Sequence, residues 1–184
     1  MQEFNIKMDN MKKSVLITLF IASLFTIVSC NNKEKEDECY ASKIDWETKE
    51  TINIKTDSLK LGISYLPVYS HIYHRYDNKT FDLTITVSMR NISLTDTIYI
   101  LKADYYNTAG DRIREYINKP VFILPMETLE IVINEDDKEG GSGGNFVFDW
   151  AIRDKKHPPL FEAVMISTYG QQGLSFTTRG VQIY

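Results

Sequence analysis

The clearest pattern between residues 59 and 184 is an alternation of apolar and polar residues with a period of two. In its longest instance, every second position is apolar: Phe81, Leu83, Ile85, Val87 and Met89. Successive side chains of a β-strand point to opposite faces, so this segment is predicted to be a strand with one buried face.

Similar segments follow along the chain and are separated by turn residues. They predict strands over 97–106, 112–116, 128–134, 145–153, 161–168 and 174–178. A hairpin turn is expected at 107–111, and Pro120 and Pro125 bracket a short edge segment. No segment has a sustained helical period with caps. Many short strands joined by turns predict an all-β fold, an antiparallel β-sandwich of the immunoglobulin-like kind, over residues 59–184.

The N-terminal region has a different pattern, in which two lysines precede an apolar run from Val15 to Val28. This run is shorter than the roughly 20 residues that a helix needs to span a bilayer. It ends at Ile27-Val28-Ser29-Cys30, which resembles the lipobox of bacterial lipoproteins. The resemblance implies cleavage after Ser29 and lipidation of the Cys30 thiol. We therefore expect residues 1–29 to be a signal peptide, with Met11 as the true start.

The predicted lipid anchor places the protein in the bacterial cell envelope, on the periplasmic or the surface-exposed face of the outer membrane. Residues 30–58 are polar and acidic, and they are predicted to form a disordered tether. The polar run from Asn31 to Glu38 also resembles a surface-export signal, with a solvated linker as the alternative. With Cys30 lipidated, Cys39 has no partner for a disulfide within the chain.

The charge of the chain limits the classes of partner. Its formal net charge is −4, and the sequence contains no basic stripe that would match a phosphate backbone. Nucleic acid is therefore excluded as an expected partner. The expected partners are the membrane, through the lipid, and an envelope protein or glycan.

The glycine-rich segment from Gly140 to Gly144 matches the G-x-S-x-G pattern of a nucleophilic serine at Ser142. That motif requires a strand before the serine and a helix after it, whereas here an acidic run precedes it and a predicted strand follows. The segment is therefore predicted to be a turn. An alternative is a calcium site, for which the oxygen ligands would be Asp136, Asp137, Glu139 and Asn145.

His71 and His74 form the second candidate constellation. On a helical turn they would share one face and could bind zinc, with Asp77 as the nearest third ligand. On a strand they would point to opposite faces and could not chelate one ion together. The surrounding residues favour a strand, so hydrogen-bonded polar positions near a sheet end are expected. No cofactor is predicted, and zinc and calcium remain the alternatives.

Several fragments together resemble an uncharacterised bacterial family of exported and lipoprotein-type chains, domain of unknown function 3124. These fragments are Leu66–Tyr73, Tyr105-Tyr106 with Gly110 and Arg114–Tyr116, Gly140–Phe146 with Trp150, Glu162–Ile166 and Gly173–Phe176. One departure is Gly144, where alanine would be expected. The resemblance implies that His71 and the loop from Gly140 to Asn145 belong to one shared site, and it implies no catalytic role for any residue.

The sequence therefore favours a membrane-anchored envelope lipoprotein that acts as a non-enzymatic binding or structural module. The alternative is a metal-dependent or hydrolytic enzyme that uses His71, His74 and the Gly140–Asn145 loop. The candidate binding residues are His71, His74, Asp136, Asp137, Ser142 and Asn145.

Overall fold

The structure is a computed structural model, and it describes residues 44–51, 54, 58–153, 157–168 and 173–184. The predicted signal peptide, Cys30 and Cys39 lie outside the described residues. Within those ranges the chain forms one short helix, one 3₁₀ turn and twelve strands. The strands are β1 (Lys60–Val68), β2 (His71–His74), β3 (Tyr76–Asp82), β4 (Thr84–Arg90), β5 (Ile98–Tyr106), β6 (Arg112–Ile117), β7 (Val121–Ile123), β8 (Thr128–Ile133), β9 (Gly144–Ile152), β10 (Leu160–Ser167), β11 (Leu174–Arg179) and β12 (Val181–Gln182).

Ten of these strands form two antiparallel sheets. The first sheet has the order β12-β1-β9-β5-β6, and β7 also pairs with β5. The second sheet has the order β11-β10-β4-β8, and β2 and β3 form a separate hairpin. The prediction of an all-β antiparallel sandwich is confirmed. Six predicted strands each begin and finish within one residue of an observed strand. They are the strands predicted at 97–106, 112–116, 128–134, 145–153, 161–168 and 174–178.

The core lies between the two sheets and contains the inward-facing residues of the alternating pattern. On β4 these are Ile85, Val87 and Met89, all fully buried. Aromatic rings link the sheets, since Phe148 of β9 stacks on Phe161 of β10 with 4.2 Å between ring centroids. Each fully buried apolar side chain contributes about 1.5–3 kcal/mol, so this interior supplies the main driving force for folding.

The long alternating segment from Phe81 to Arg90 differs from the single strand that its pattern predicts. It divides at Leu83, whose backbone N–H donates to the carbonyl of Ser70 at 2.9 Å. Before this point β3 pairs with β2, and after it β4 pairs with β8 and β10. The apolar and polar residues alternate on both sides of Leu83, so one continuous pattern includes a strand of the hairpin and a strand of the second sheet.

Residues 44–51 also differ from the prediction, which placed them in the disordered tether. They contain helix α1 (Trp46–Lys49), and the Asp45 side chain caps it by accepting a hydrogen bond from the backbone of Glu47. Ile44 and Trp46 pack against the core, and Glu50 forms a β-bridge with Val121. The two apolar residues give this segment the buried surface that a purely charged run lacks.

The described residues also differ from a membrane-spanning segment in the length and hydropathy of their helices. None of the helices in this part of the chain is long and apolar enough to cross a bilayer.

Candidate functional site

The glycine segment connects β8 to β9 and forms two consecutive turns. The backbone of Asp137 donates to Asn134 at 3.1 Å, and that of Gly141 donates to Lys138 at 3.1 Å. The 3₁₀ turn covers Gly141–Gly143, and Gly141 has a φ of 71°, a conformation that favours glycine. We call residues 138–144 the glycine turn.

The glycine turn is held against the sandwich by two neighbouring residues, Ser70 and Thr108. The backbone N–H of Ser70 donates to the carbonyl of Gly141 at 3.0 Å, and that of Thr108 donates to the carbonyl of Gly140 at 3.1 Å. The Thr108 hydroxyl accepts from the backbone of Gly143 at 2.9 Å. Backbone groups that could have approached an ion are therefore used to attach the turn.

Position 140 must be glycine because the Tyr105 side chain lies too close to its backbone for any other residue. A Cβ atom at position 140 would overlap the Tyr105 hydroxyl. That hydroxyl lies 3.1 Å from the Ser70 hydroxyl, and Tyr105 is fully buried. Burial raises the pKa of Tyr105, so the phenol stays protonated and provides a hydrogen-bond donor. The glycine at this position thus has a packing role.

Asp137 directly precedes the glycine turn and is bound by Arg114, which the sequence marks only as part of a family fragment. Arg114 on β6 contacts Asp137 and Glu139, with a distance of 2.8 Å to each carboxylate, and donates to the Tyr116 hydroxyl at 2.7 Å. The hydrogen bond to Asp137 raises the pKa of Arg114. Two of the carboxylates predicted as calcium ligands therefore neutralise a cation of the protein itself.

The surroundings of Ser142 differ from those of a nucleophilic serine in a G-x-S-x-G motif. Ser142 lies in the 3₁₀ turn, and β9 follows it instead of a helix. Ser142 and His71 flank the backbone hydrogen bond between Ser70 and Gly141, so the structure brings them into one region. Within the described ranges, however, no hydrogen bond joins their side chains. Asn145 lies further along, on β9, and is half-buried.

The two histidines lie on a strand, β2, and have different surroundings. The ring of His71 meets that of Tyr73 edge-on at 5.9 Å, and the ring of His74 stacks on Phe81 at 4.0 Å. Among the described residues, no three His, Cys, Asp or Glu side chains lie together in a way that could hold a metal ion.

A separate cavity of about 700 Å³ lies beside the hairpin, and we call it the hairpin cleft. Three elements build it: the β2–β3 hairpin, the loop after β8 and the end of β10. Two predicted site residues, His74 and Asp136, line it, together with Lys79, Thr80, Phe81, Asp82, Glu135, Lys138 and Ser167.

An ion pair links two of the elements that build the cleft. The Lys138 ammonium lies 2.7 Å from Asp82 Oδ2, and this hydrogen bond raises the pKa of Lys138. The pair connects the hairpin to the loop after β8.

Two residues that line the cleft each have a side-chain oxygen that solvent does not reach. Asp82 Oδ1 and Ser167 Oγ are both buried, and neither has a hydrogen-bond partner among the described residues. Ser167 is only 3% exposed. An unsatisfied buried polar group costs about 1–3 kcal/mol, so this end of the sandwich carries a cost that a bound donor would remove. The sequence pattern shows neither oxygen as special, because both residues are ordinary polar positions at strand ends.

The fold and the cleft together define an antiparallel all-β sandwich protein with a polar cleft at one end of its second sheet. The chain belongs to the family described as "Protein of unknown function (DUF3124)", whose family model matches residues 62–183. This match confirms the family resemblance seen in the sequence.

The other comparisons add little to the family assignment. The crystal structure of Thermotoga maritima 1070 is similar over 65% of this chain and 92% of its own, with 9% identity and a TM-score of 0.42. None of the curated proteins matches the sequence.

Proposed function

We propose that this protein is a lipid-anchored, non-enzymatic binding module of the bacterial envelope, and that the hairpin cleft is its ligand site. The cleft carries the proposal because it combines a cavity of about 700 Å³ with two buried oxygens that lack partners among the residues that the structure describes. Pockets with a few convergent polar groups are the usual form of ligand sites. The apolar run that ends at Cys30 supports the lipid anchor.

The residues predicted for a calcium site and the turn that contains Ser142 have structural contacts within the protein. Asp137 and Glu139 bind Arg114, and the turn that contains Ser142 is attached to Ser70 and Thr108. Catalysis by Ser142 would require its hydroxyl to be exposed beside a base that can take its proton.

The proposal can be tested by blocking the cleft in the full-length protein. Thr80 is an exposed cleft residue on β3, and Thr80→Trp would fill the cavity while keeping a residue that favours strands. The immobilised protein is incubated with envelope material from host cells grown on ¹⁴C-glucose, which labels every class of ligand. We expect wild-type protein to retain label and Thr80→Trp to retain at least tenfold less.

The matched control is Thr177→Trp, at an exposed position of β11 that does not line the cleft. It should retain as much label as the wild type, and both variants should melt within a few degrees of it. Equal retention by Thr80→Trp, or no retention by the wild type, would contradict the proposed function.

A further inference from the structure

We infer that the ligand of the hairpin cleft is a neutral saccharide, meaning a ring with several free hydroxyl groups. This inference rests on the proposed function and specifies the chemistry of that site. Three properties of the lining lead to it: its charge balance, its mixture of hydrogen-bond donors and acceptors, and its aromatic surface.

The charges of the lining nearly cancel. Asp82, Glu135 and Asp136 contribute three carboxylates, and Lys79 and Lys138 contribute two ammonium groups. A polyanion would be repelled by the three carboxylates, and a polycation would be repelled by the two lysines. A ligand without net charge avoids both penalties, since like charges brought together cost free energy.

The hydrogen-bonding groups of the lining include both donors and acceptors. Ionised carboxylates only accept, ammonium groups only donate, and the hydroxyls of Thr80 and Ser167 do both. A ligand ammonium could satisfy only the acceptors, and a phosphate only the donors. A hydroxyl group both donates and accepts, so a ligand with several hydroxyls matches the whole lining.

The two unpartnered oxygens specify where the first contacts form. A ligand hydroxyl donates to Asp82 Oδ1 after the carboxylate turns toward the cleft, because this oxygen is buried in the unbound protein. A second hydroxyl pairs with Ser167 Oγ after the serine side chain turns toward the cleft. Binding thereby removes the cost of leaving two buried polar atoms unsatisfied.

The apolar part of the lining is a single aromatic residue, Phe81, which stacks on the imidazole of His74 at 4.0 Å. A protein partner would need a pocket for apolar or aromatic anchor side chains, whereas Phe81 is the one apolar residue among those that line the cleft. One aromatic surface beside polar groups instead suits a sugar ring, which has C–H groups on its faces and hydroxyls at its rim.

The chemical class can be tested with the retention assay described above. Before the assay, one portion of the labelled envelope material is oxidised with periodate, which cleaves vicinal diols, and another is digested with protease. We expect periodate to lower the label retained by the wild-type cleft at least tenfold and protease to leave it unchanged. Retention that survives periodate, or that spermidine or inorganic phosphate displaces, would overturn the saccharide inference.

A second measurement uses Ser167→Ala, which removes one unpartnered oxygen and leaves the Asp82–Lys138 pair intact. The variant should weaken retention about tenfold while melting at the same or a higher temperature, because a buried unsatisfied group has been removed. A lower melting temperature with unchanged retention would show a purely structural serine and would contradict the inference.

The two proposals fail in different ways. Retention that does not depend on the cleft, judged by Thr80→Trp against Thr177→Trp, would refute the proposed function itself. Retention that depends on the cleft but resists periodate would refute only the saccharide assignment.

Discussion

At the scale of single residues, Tyr105 determines how the glycine turn packs. Its hydroxyl occupies the space that any side chain at Gly140 would need, and it pairs with Ser70 beneath the turn. Ser70 also binds Gly141 and Leu83 through its backbone. A glycine that resembles part of a catalytic motif is thus explained by a buried tyrosine 35 positions earlier in the sequence.

Replacing Gly140 should test this packing. Gly140→Ala would push against the Tyr105 hydroxyl, and overpacking of this kind typically costs about 1–3 kcal/mol. We expect a loss in that range in the free energy of unfolding, measured with urea. The control is Gly173→Ala, where an added Cβ would come only within ordinary van der Waals contact, 3.5 Å from the Ser167 carbonyl.

A double-mutant cycle identifies the cause. In a Tyr105→Phe background the hydroxyl is absent, so Gly140→Ala should cost less than it does in the wild type. Equal costs in the two backgrounds would show that the Tyr105 hydroxyl is not what requires glycine at this position.

At the scale of elements, α1 is attached to the sandwich by a pair of charged side chains. Lys49 forms an ion pair with Glu127, and both side chains are half-buried. Burial acts to raise the pKa of Glu127, but hydrogen bonds from Lys49 and from the backbone of Leu124 outweigh it, so the pKa lies below its usual value. A carboxyl group with a lowered pKa stabilises the fold above its unfolded pKa, and this contribution is lost as the pH falls through the folded value.

Glu127→Gln should therefore destabilise the protein in a pH-dependent way. We expect a loss of about 1–2 kcal/mol in the free energy of unfolding at pH 7 and a much smaller loss at a pH low enough to protonate the wild-type carboxyl, below its lowered pKa. Urea titrations at the two pH values measure the difference. Glu47→Gln, at an exposed position of α1, should change stability little at either pH, and a loss at Glu127 that is independent of pH would contradict the ionic explanation.

At the scale of the whole molecule, the prediction concerns anchoring. Cys30→Ala should remove the lipid site, so that the protein moves from the membrane fraction to the soluble fraction and no longer incorporates labelled palmitate. Cys39→Ala is the matched control and should remain in the membrane fraction. Palmitate incorporation that persists in the Cys30 variant would show that the lipid is not attached to this residue.

The sequence predicts the sandwich well but not the hairpin cleft, and there is a physical reason. Alternation is a local property, and it marks strands such as β4 and β5 wherever one face is buried. The cleft instead depends on the register that brings Asp82, Lys138 and Ser167 together from three separate elements. Only His74 and Asp136 were singled out among its residues, and both were assigned to metal alternatives.

The helix α1 and the role of Arg114 were missed for related reasons. Four residues are too few to show a helical period, so α1 was placed in the charged tether. Arg114 is separated from Asp137 by 23 positions, and the two meet only when β6 and the glycine turn come together in the folded sandwich.

The position of α1 has a consequence for access to the cleft. Glu127, which binds α1, directly precedes β8, and the cleft residues Glu135 and Asp136 follow its last residue. A six-residue strand is about 20 Å long. The chain therefore enters the described domain at one end of the second sheet, whereas the cleft opens at the other. None of the residues that line the cleft belongs to α1, so the attachment of this helix leaves the cleft open to a ligand.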